Sequence, residues 1–319
     1  MRTPQTNADG ATARVVPPHW LDTHVHVSHV TPTGQPRPDI LADLLAVQER
    51  EPTDLRFVIS CDVPLVNWMA GAGEKVIEGN AFVHDLVSRA PGRLYGSCTV
   101  NPRFLDASLR SMDQCFGQWG FVMLGEFLPY IMDHRMAEPG AARLVRQAVA
   151  YSVPVQVHIS TSNAKPQGPF VNGGTEQLED LMDLVERVPE ARYVLAHFIG
   201  NPKADPPVVD GYLDQIERRF GRWPDNFWAE IRDVNSPGVR SALQRIPRQR
   251  LQIGTDWVTR VGPPFLPYGM IFGSTDPAAN PYPPGVVAMA DCLRQAGAGP
   301  EDVERIAFAT AAGLLGVHP

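Results

Sequence analysis

The chain has 319 residues, with 28 basic against 35 acidic side chains, a formal net charge of −7, and 44% hydrophobic residues against 20% charged. That balance suits a globular protein with a sizeable core and excludes a mainly disordered chain, and no Lys/Arg cluster is long enough to make a nucleic-acid-binding stripe. Four dispersed cysteines (Cys61, Cys98, Cys115 and Cys292) form no CxxC pair, so neither a zinc knuckle nor a disulfide framework is expected.

The polar, small-residue segment 1–18 reads as a flexible tail without the apolar stretch of a signal peptide, and 19–319 reads as a single domain. No apolar run approaches the roughly 20 residues of a membrane span. The expectation is a cytoplasmic protein with a small-molecule substrate, and with neither a membrane nor nucleic acid as partner.

Eight short apolar, β-rich segments follow, at 21–27, 55–60, 94–100, 121–127, 154–160, 192–198, 227–231 and 251–256. Between them lie segments with apolar residues at helical spacings of three and four: 40–47, 74–89, 106–116, 141–151, 175–188, 210–220 and 237–245. Two further helices, 286–295 and 300–315, close the chain. Strand then helix, repeated eight times with buried strands, predicts an α/β fold of the closed parallel (β/α)8 TIM-barrel type. Pro- and Gly-rich connections at 62–73, 162–174 and 260–285 follow the second, fifth and eighth strands. In a barrel they emerge on the face that carries the pocket, though solvated surface loops have the same composition. Trp68 in the first of them is a candidate substrate contact.

Metal-capable side chains end five of the eight strands. His24 and His26 leave one face of the first strand together, because side chains in a strand alternate with a period of two, and two imidazoles so placed can grip one ion. Glu126 ends the fourth strand, His158 the fifth, His197 the sixth and Asp256 the eighth. Glu126 could instead pair with a barrel residue such as Arg232, and Asp256 could cap the next helix. Strand seven ends in Glu230 and Arg232, and the planar fork of Arg232 could bind a substrate carboxylate. Trp257 is either a pocket wall or a packing residue. His29 and His134 read as surface positions, and His19, His84 and His318 as structural or terminal. Imidazole and carboxylate donors suit Zn²⁺, the default expectation, and also Mn²⁺ or Fe²⁺. No GxSxG nucleophile elbow competes with a metal-dependent reading.

HxH on strand one, a carboxylate on strand four, histidines on strands five and six, aspartate on strand eight and the closing segment 306–315 together resemble the amidohydrolase superfamily, specifically its amidohydrolase-related branch. The resemblance implies that His24, His26 and Asp256 hold one ion and His158 and His197 a second, with Glu126 between them. In a one-metal version His197 would instead stabilise charge on the substrate. It also implies that Asp256 accepts the proton of the attacking water and passes it to the leaving group, and that the protein forms a homo-oligomer. The leading expectation is hydrolysis of an amide, lactone or other ester in a small molecule. The alternative is a divalent-metal-dependent nonoxidative decarboxylase of an aromatic or enoic acid, for which Arg232 would be the discriminating residue. A catalytically silent barrel has no support in the side chains present.

Overall fold

The computed structural model describes residues 16–28, 37, 39–61, 74–161, 168–200, 206–258, 267–270 and 280–319. Strands β1 (His19–Val27), β2 (Asp54–Cys61), β3 (Leu94–Cys98), β4 (Met123–Phe127), β5 (Val155–His158), β6 (Tyr193–Ile199), β7 (Phe227–Ile231) and β8 (Leu251–Ile253) each pair in parallel with the next. A short strand, β9 (Trp257–Val258), returns to β1 through Val25–Trp257 and His26–Val258. β8 and β9 are two halves of one stave, parted at Gly254 to Asp256. One half bonds β7 and the other β1, so the stave completes a (β/α)8 barrel, as the eightfold sequence pattern predicts.

With one exception the helices fall where apolar spacing places them: α1 (Ile40–Glu49), α2 (Glu74–Arg89), α3 (Leu105–Gly117), then the short α4 (Pro129–Met132), which the sequence did not announce, α5 (Pro139–Ala150), α6 (Gly173–Arg187), α7 (Pro206–Phe220), α8 (Gly238–Arg245) and α9 (Gly285–Gln295). The closing helix is not continuous. α10 (Pro300–Glu304) runs through a π-helical turn, Arg305–Ala309, into α11 (Thr310–Leu315). The turn buries Ile306, Ala307 and Phe308 in succession, more than a straight helix with one apolar stripe would cover. Strand three stops earlier than its β-rich sequence predicts, because side chains replace the ladder beyond Cys98. Thr99 N donates to Asn80 Oδ1 at 2.9 Å and Asn101 N to Ser108 Oγ at 3.0 Å.

Two apolar layers hold the barrel. The larger lies between strands and surrounding helices and includes Val25, Phe57, Leu124, Leu195 and Trp257. The smaller fills the barrel interior at its floor, where Leu21, Val58, Met123, Val194 and Trp228 from five strands meet Phe308, Ala311 and Leu314 of the closing helices. The interior above that floor is polar.

Candidate metal-binding active site

Shifts in strand register change which side chains enter the upper barrel. Leu21, Met123 and Val194 face the floor, and His24, Glu126 and His197 face the site above it, an odd number of residues further on. Strict alternation would send those three to the opposite face. Each strand slips its register in between: β1 between Asp22 and Val25, β4 between Leu124 and Phe127, and β6 between Leu195 and Ile199. Such irregularities re-aim side chains. β5 keeps unbroken register with β6, so Gln156 and His158 share the interior by ordinary alternation. Two donors also stand in left-handed backbone, His197 at φ 54° and Asp256 at φ 57°, a conformation that costs free energy in a non-glycine residue and concentrates at functional sites. Gly125, at φ 135°, precedes Glu126 where any Cβ would come within 2.6 Å of the Gln156 carbonyl oxygen.

The result is a compact set of four imidazoles and two carboxylates. His24 Nε2 lies 3.0 Å from His26 Nε2, and each is 3.3 Å from Glu126 Oε2. Glu126 Oε1 stands 3.0 Å from His158 Nδ1 and 3.5 Å from His197 Nε2. Asp256 completes the ring, with Oδ1 3.4 Å from His26 Nε2 and Oδ2 3.4 Å from His197 Nε2. Three overlapping triads have metal-binding spacing: His24, His26 and Glu126; His24, His197 and Asp256; and Glu126, His158 and His197.

Hydrogen bonds behind the imidazoles test whether these donors fit a cation. His24 Nδ1 donates to Glu230 Oε2 at 2.8 Å, and His26 Nδ1 to the Cys61 carbonyl at 3.1 Å. With both Nδ1 atoms turned to acceptors, the two Nε2 atoms and a Glu126 oxygen converge on one point, which a divalent ion would suit in place of a proton. His158 Nε2 and His197 Nε2 are buried without a hydrogen-bond partner. The donor set fits a divalent ion.

The protein's own charges pull its titrations in opposite directions. Burial pushes the Glu126 carboxyl up, but the His24 and His197 imidazoles and the His158 hydrogen bond hold it well below the carboxylate range. For His24 burial acts downward, and Glu126 and Glu230 outweigh it, raising its pKa well above the ordinary value. Burial lowers His197 far below its usual range and raises Asp256 against the pull of His24 and His26.

Side-chain exposure separates floor from lip. His24, His26 and Glu126 are 1% exposed, whereas His158, Asp256 and Arg232 each keep 10%. The Arg232 guanidinium donates twice to Asp233, from Nε and Nη2 at 3.1 Å each, and places Nη1 3.7 Å from Asp256 Oδ2. Burial disfavours its charge, but Asp233 and Asp256 raise its pKa. The Tyr130 ring of α4 lies tilted beside His158, with ring centroids 4.6 Å apart.

Residues 21–317 match the family model described as Amidohydrolase. The chain belongs to that family. No curated protein matches the sequence. Solved structures resemble this chain across nearly the whole barrel at low identity. One is a 5-carboxyvanillate decarboxylase from Sphingomonas paucimobilis, with TM-score 0.63, 15% identity, and coverage of 94% of this chain and 100% of the other. Another is a dihydroxybenzoic acid decarboxylase from Polaromonas sp. with bound manganese and 2-nitroresorcinol, with TM-score 0.60, 15% identity and coverage of 93% and 97%. A third is a 4-oxalomesaconate hydratase from Rhodopseudomonas palustris, with TM-score 0.61, 14% identity and coverage of 93% and 95%. At these identities the likeness is one of fold.

All six expected donors, His24, His26, Glu126, His158, His197 and Asp256, meet in one cluster. Glu126 faces imidazoles, and the guanidinium of Arg232 is taken by Asp233 and Asp256. Trp257 packs in the strand–helix layer, its ring 6.0 Å from Phe57 and 6.4 Å from Tyr268, which is the packing role and not a pocket wall. Trp68 and His29 lie outside the described residues. His134 is no surface residue. It is 2% exposed and stands edge-on to Phe127, because α4 folds the chain back over the end of β4.

Sequence reasoning also left two buried carboxylates beside the donors, Asp22 and Glu230, without a role. Asp22 accepts from His24 N and Thr255 N at 3.0 Å each, from Thr255 Oγ1 at 2.5 Å and from Tyr268 Oη at 3.0 Å. It clasps β1 to the turn that carries Asp256, and burial raises its pKa to about 6 against these hydrogen bonds. Its one signal was an acidic residue inside an apolar strand. The other carboxylate is Glu230 behind His24, whose signal was the same. Among the described residues, no helix is long and apolar enough to cross a membrane.

Proposed function

We propose that this amidohydrolase-family enzyme is a divalent-metal-dependent nonoxidative decarboxylase of an aromatic or enoic carboxylic acid. The observation that carries the reading is Arg232. Its buried guanidinium is oriented by Asp233 and reaches the exposed lip of the donor set beside Asp256. A decarboxylase must orient a carboxylate that will leave as neutral CO₂, and with Nε and Nη2 held by Asp233 the Nη1 edge of Arg232 is the cationic donor that can do so. The decarboxylase activities named for the structures of similar fold support the same choice over hydrolysis.

His24, His26 and Asp256 would hold an ion, with Glu126, His158 and His197 within reach of it or of a second. Zn²⁺, Mn²⁺ and Fe²⁺ all suit these donors, and manganese occurs in one structure of similar fold. When bound, the ion supplies Lewis-acid stabilisation of negative charge developing on the substrate. Arg232 orients the departing carboxylate. Asp256, between Arg232 and His197, delivers a proton to the carbon that bears it. A C–H bond forms there, the C–C bond breaks, CO₂ leaves, and Asp256 regains its proton from water.

One observation favours hydrolysis of an amide, lactone or other ester as the second reading. Glu126 faces His24 and His26 with one oxygen and His158 and His197 with the other, as a carboxylate between two ions would. In that chemistry Asp256 takes the proton of the attacking water.

Metal content per chain, for protein purified without chelator, is compared between wild type and Glu126→Gln, alongside CO₂ release from hydroxybenzoic acids and hydrolysis of lactones. About one ion in both proteins, with CO₂ release abolished in Arg232→Met, is the expected result. About two ions falling to about one, with lactone opening and no CO₂, would replace decarboxylation by hydrolysis.

A further inference from the structure

Glu230 is a completely buried carboxylate in the middle of the barrel, and every hydrogen bond it accepts comes from another strand. Oε2 takes the Nδ1 proton of His24 at 2.8 Å, while Oε1 accepts from Gln156 Nε2 at 2.6 Å and shares the Thr23 hydroxyl proton, at 3.1 Å, with the Ile253 carbonyl at 2.8 Å. Gln252 Nε2 donates in turn to Thr23 Oγ1 at 2.9 Å. Of the three donors to Glu230, only His24 can carry or share positive charge. The nearby cation just past the end of the same strand, Arg232, is turned to Asp233.

Two further features adapt the fold to this carboxylate. The register slip in β1 lets consecutive residues, Thr23 and His24, both reach it. Gly254 leaves room for it, since a Cβ there would stand 2.3 Å from Glu230 Cδ, closer than real atoms approach. The glycine that opens the Gly254-Thr255-Asp256 turn thus serves Glu230 rather than the turn's own dihedral angles. A buried ionised group at this depth is costly unless a partner answers its charge.

We propose that Glu230 is a positioning residue for metal binding: it fixes His24 in the tautomer with the proton on Nδ1 and aims Nε2 at the point shared with His26 and Asp256. The inference rests on the reading that this donor set holds a divalent ion. It requires the carboxylate, because an acceptor-only group admits one histidine tautomer, whereas an amide in the same place can turn its NH₂ toward the ring and stabilise the other. A merely structural knot would be served as well by glutamine.

The test is a Co²⁺ titration of the metal-free protein, followed by visible absorption, for wild type, Glu230→Gln and Gln156→Leu. Glu230→Gln is expected to weaken Co²⁺ binding about 10- to 100-fold and alter the absorption band, with the melting temperature of the metal-free protein retained. Gln156→Leu, which loosens the same knot without touching His24, is expected to leave affinity unchanged. Equal affinity in wild type and Glu230→Gln would overturn the assignment, as would an equal loss in Gln156→Leu. Because the readout is ion binding, the assignment is judged separately from decarboxylation: absence of CO₂ release would leave a weakened Glu230→Gln site standing, and unchanged affinity would leave the proposed reaction untouched.

Discussion

At the floor of the barrel Leu21, Met123 and Val194 meet Phe308 and Leu314 in a dry apolar plug, while higher on the same strands His24, Glu126 and His197 crowd into a cluster of charge. The floor obeys simple rules: alternating residues, close packing and a π-helical turn that delivers consecutive apolar side chains. The mouth departs from them with three register slips, two donors in left-handed backbone and carboxylates buried with imidazole partners. Stability and chemistry are thereby placed at opposite ends of one barrel, joined by the polar layer of Thr23, Gln156, Glu230 and Gln252. A change at the floor should register as stability, and a change at the mouth as activity.

The sharpest test of that division is Asp256→Asn. It is expected to leave the fold intact and lower turnover at least about a hundredfold, because the amide keeps the shape but neither accepts nor delivers the proton. Near-normal turnover, measured as CO₂ release from a verified substrate, would remove Asp256 from the mechanism. Phe308→Ala should do the reverse. Loss of this buried ring from the floor is expected to cost about 3 kcal/mol of stability by denaturant titration, with metal stoichiometry unchanged. A loss of bound metal as large as the loss of stability would join the two ends that the comparison separates.

A smaller effect blurs the division at a known place. His134 is buried against Phe127 near the mouth, and burial lowers its pKa to about 4 from an ordinary 6.5. The unfolded chain binds a proton at this position below pH 6.5 and the folded protein does not until about pH 4. Its contribution is therefore complete above pH 6.5 and is lost as pH falls toward 4, worth about 3 kcal/mol at most. Stability of His134→Gln measured across that window should fall less steeply on acidification than wild type. Parallel curves would show that the acid sensitivity belongs to the metal-binding cluster.

The repeated alternation of apolar strands and amphipathic helices determined the barrel, since period-two and period-3.6 patterns are local properties of the chain. The same local reading named the six candidate donors that the fold brings together, because a histidine or carboxylate closing an apolar strand stands out against its neighbours. It misassigned His134, where a four-residue helix after β4 covers a ring that sequence spacing left on the surface. Tertiary structure alone decided the rest. Register slips between neighbouring strands re-aim His24, Glu126 and His197, and whether a strand slips depends on how its partner packs. Glu230 behind His24, Asp22 clasping Thr255 and Asp233 aiming Arg232 are choices of partner for buried charge. Most join residues far apart in sequence, and all are settled by desolvation and geometry inside the closed barrel, which no pattern along one strand encodes.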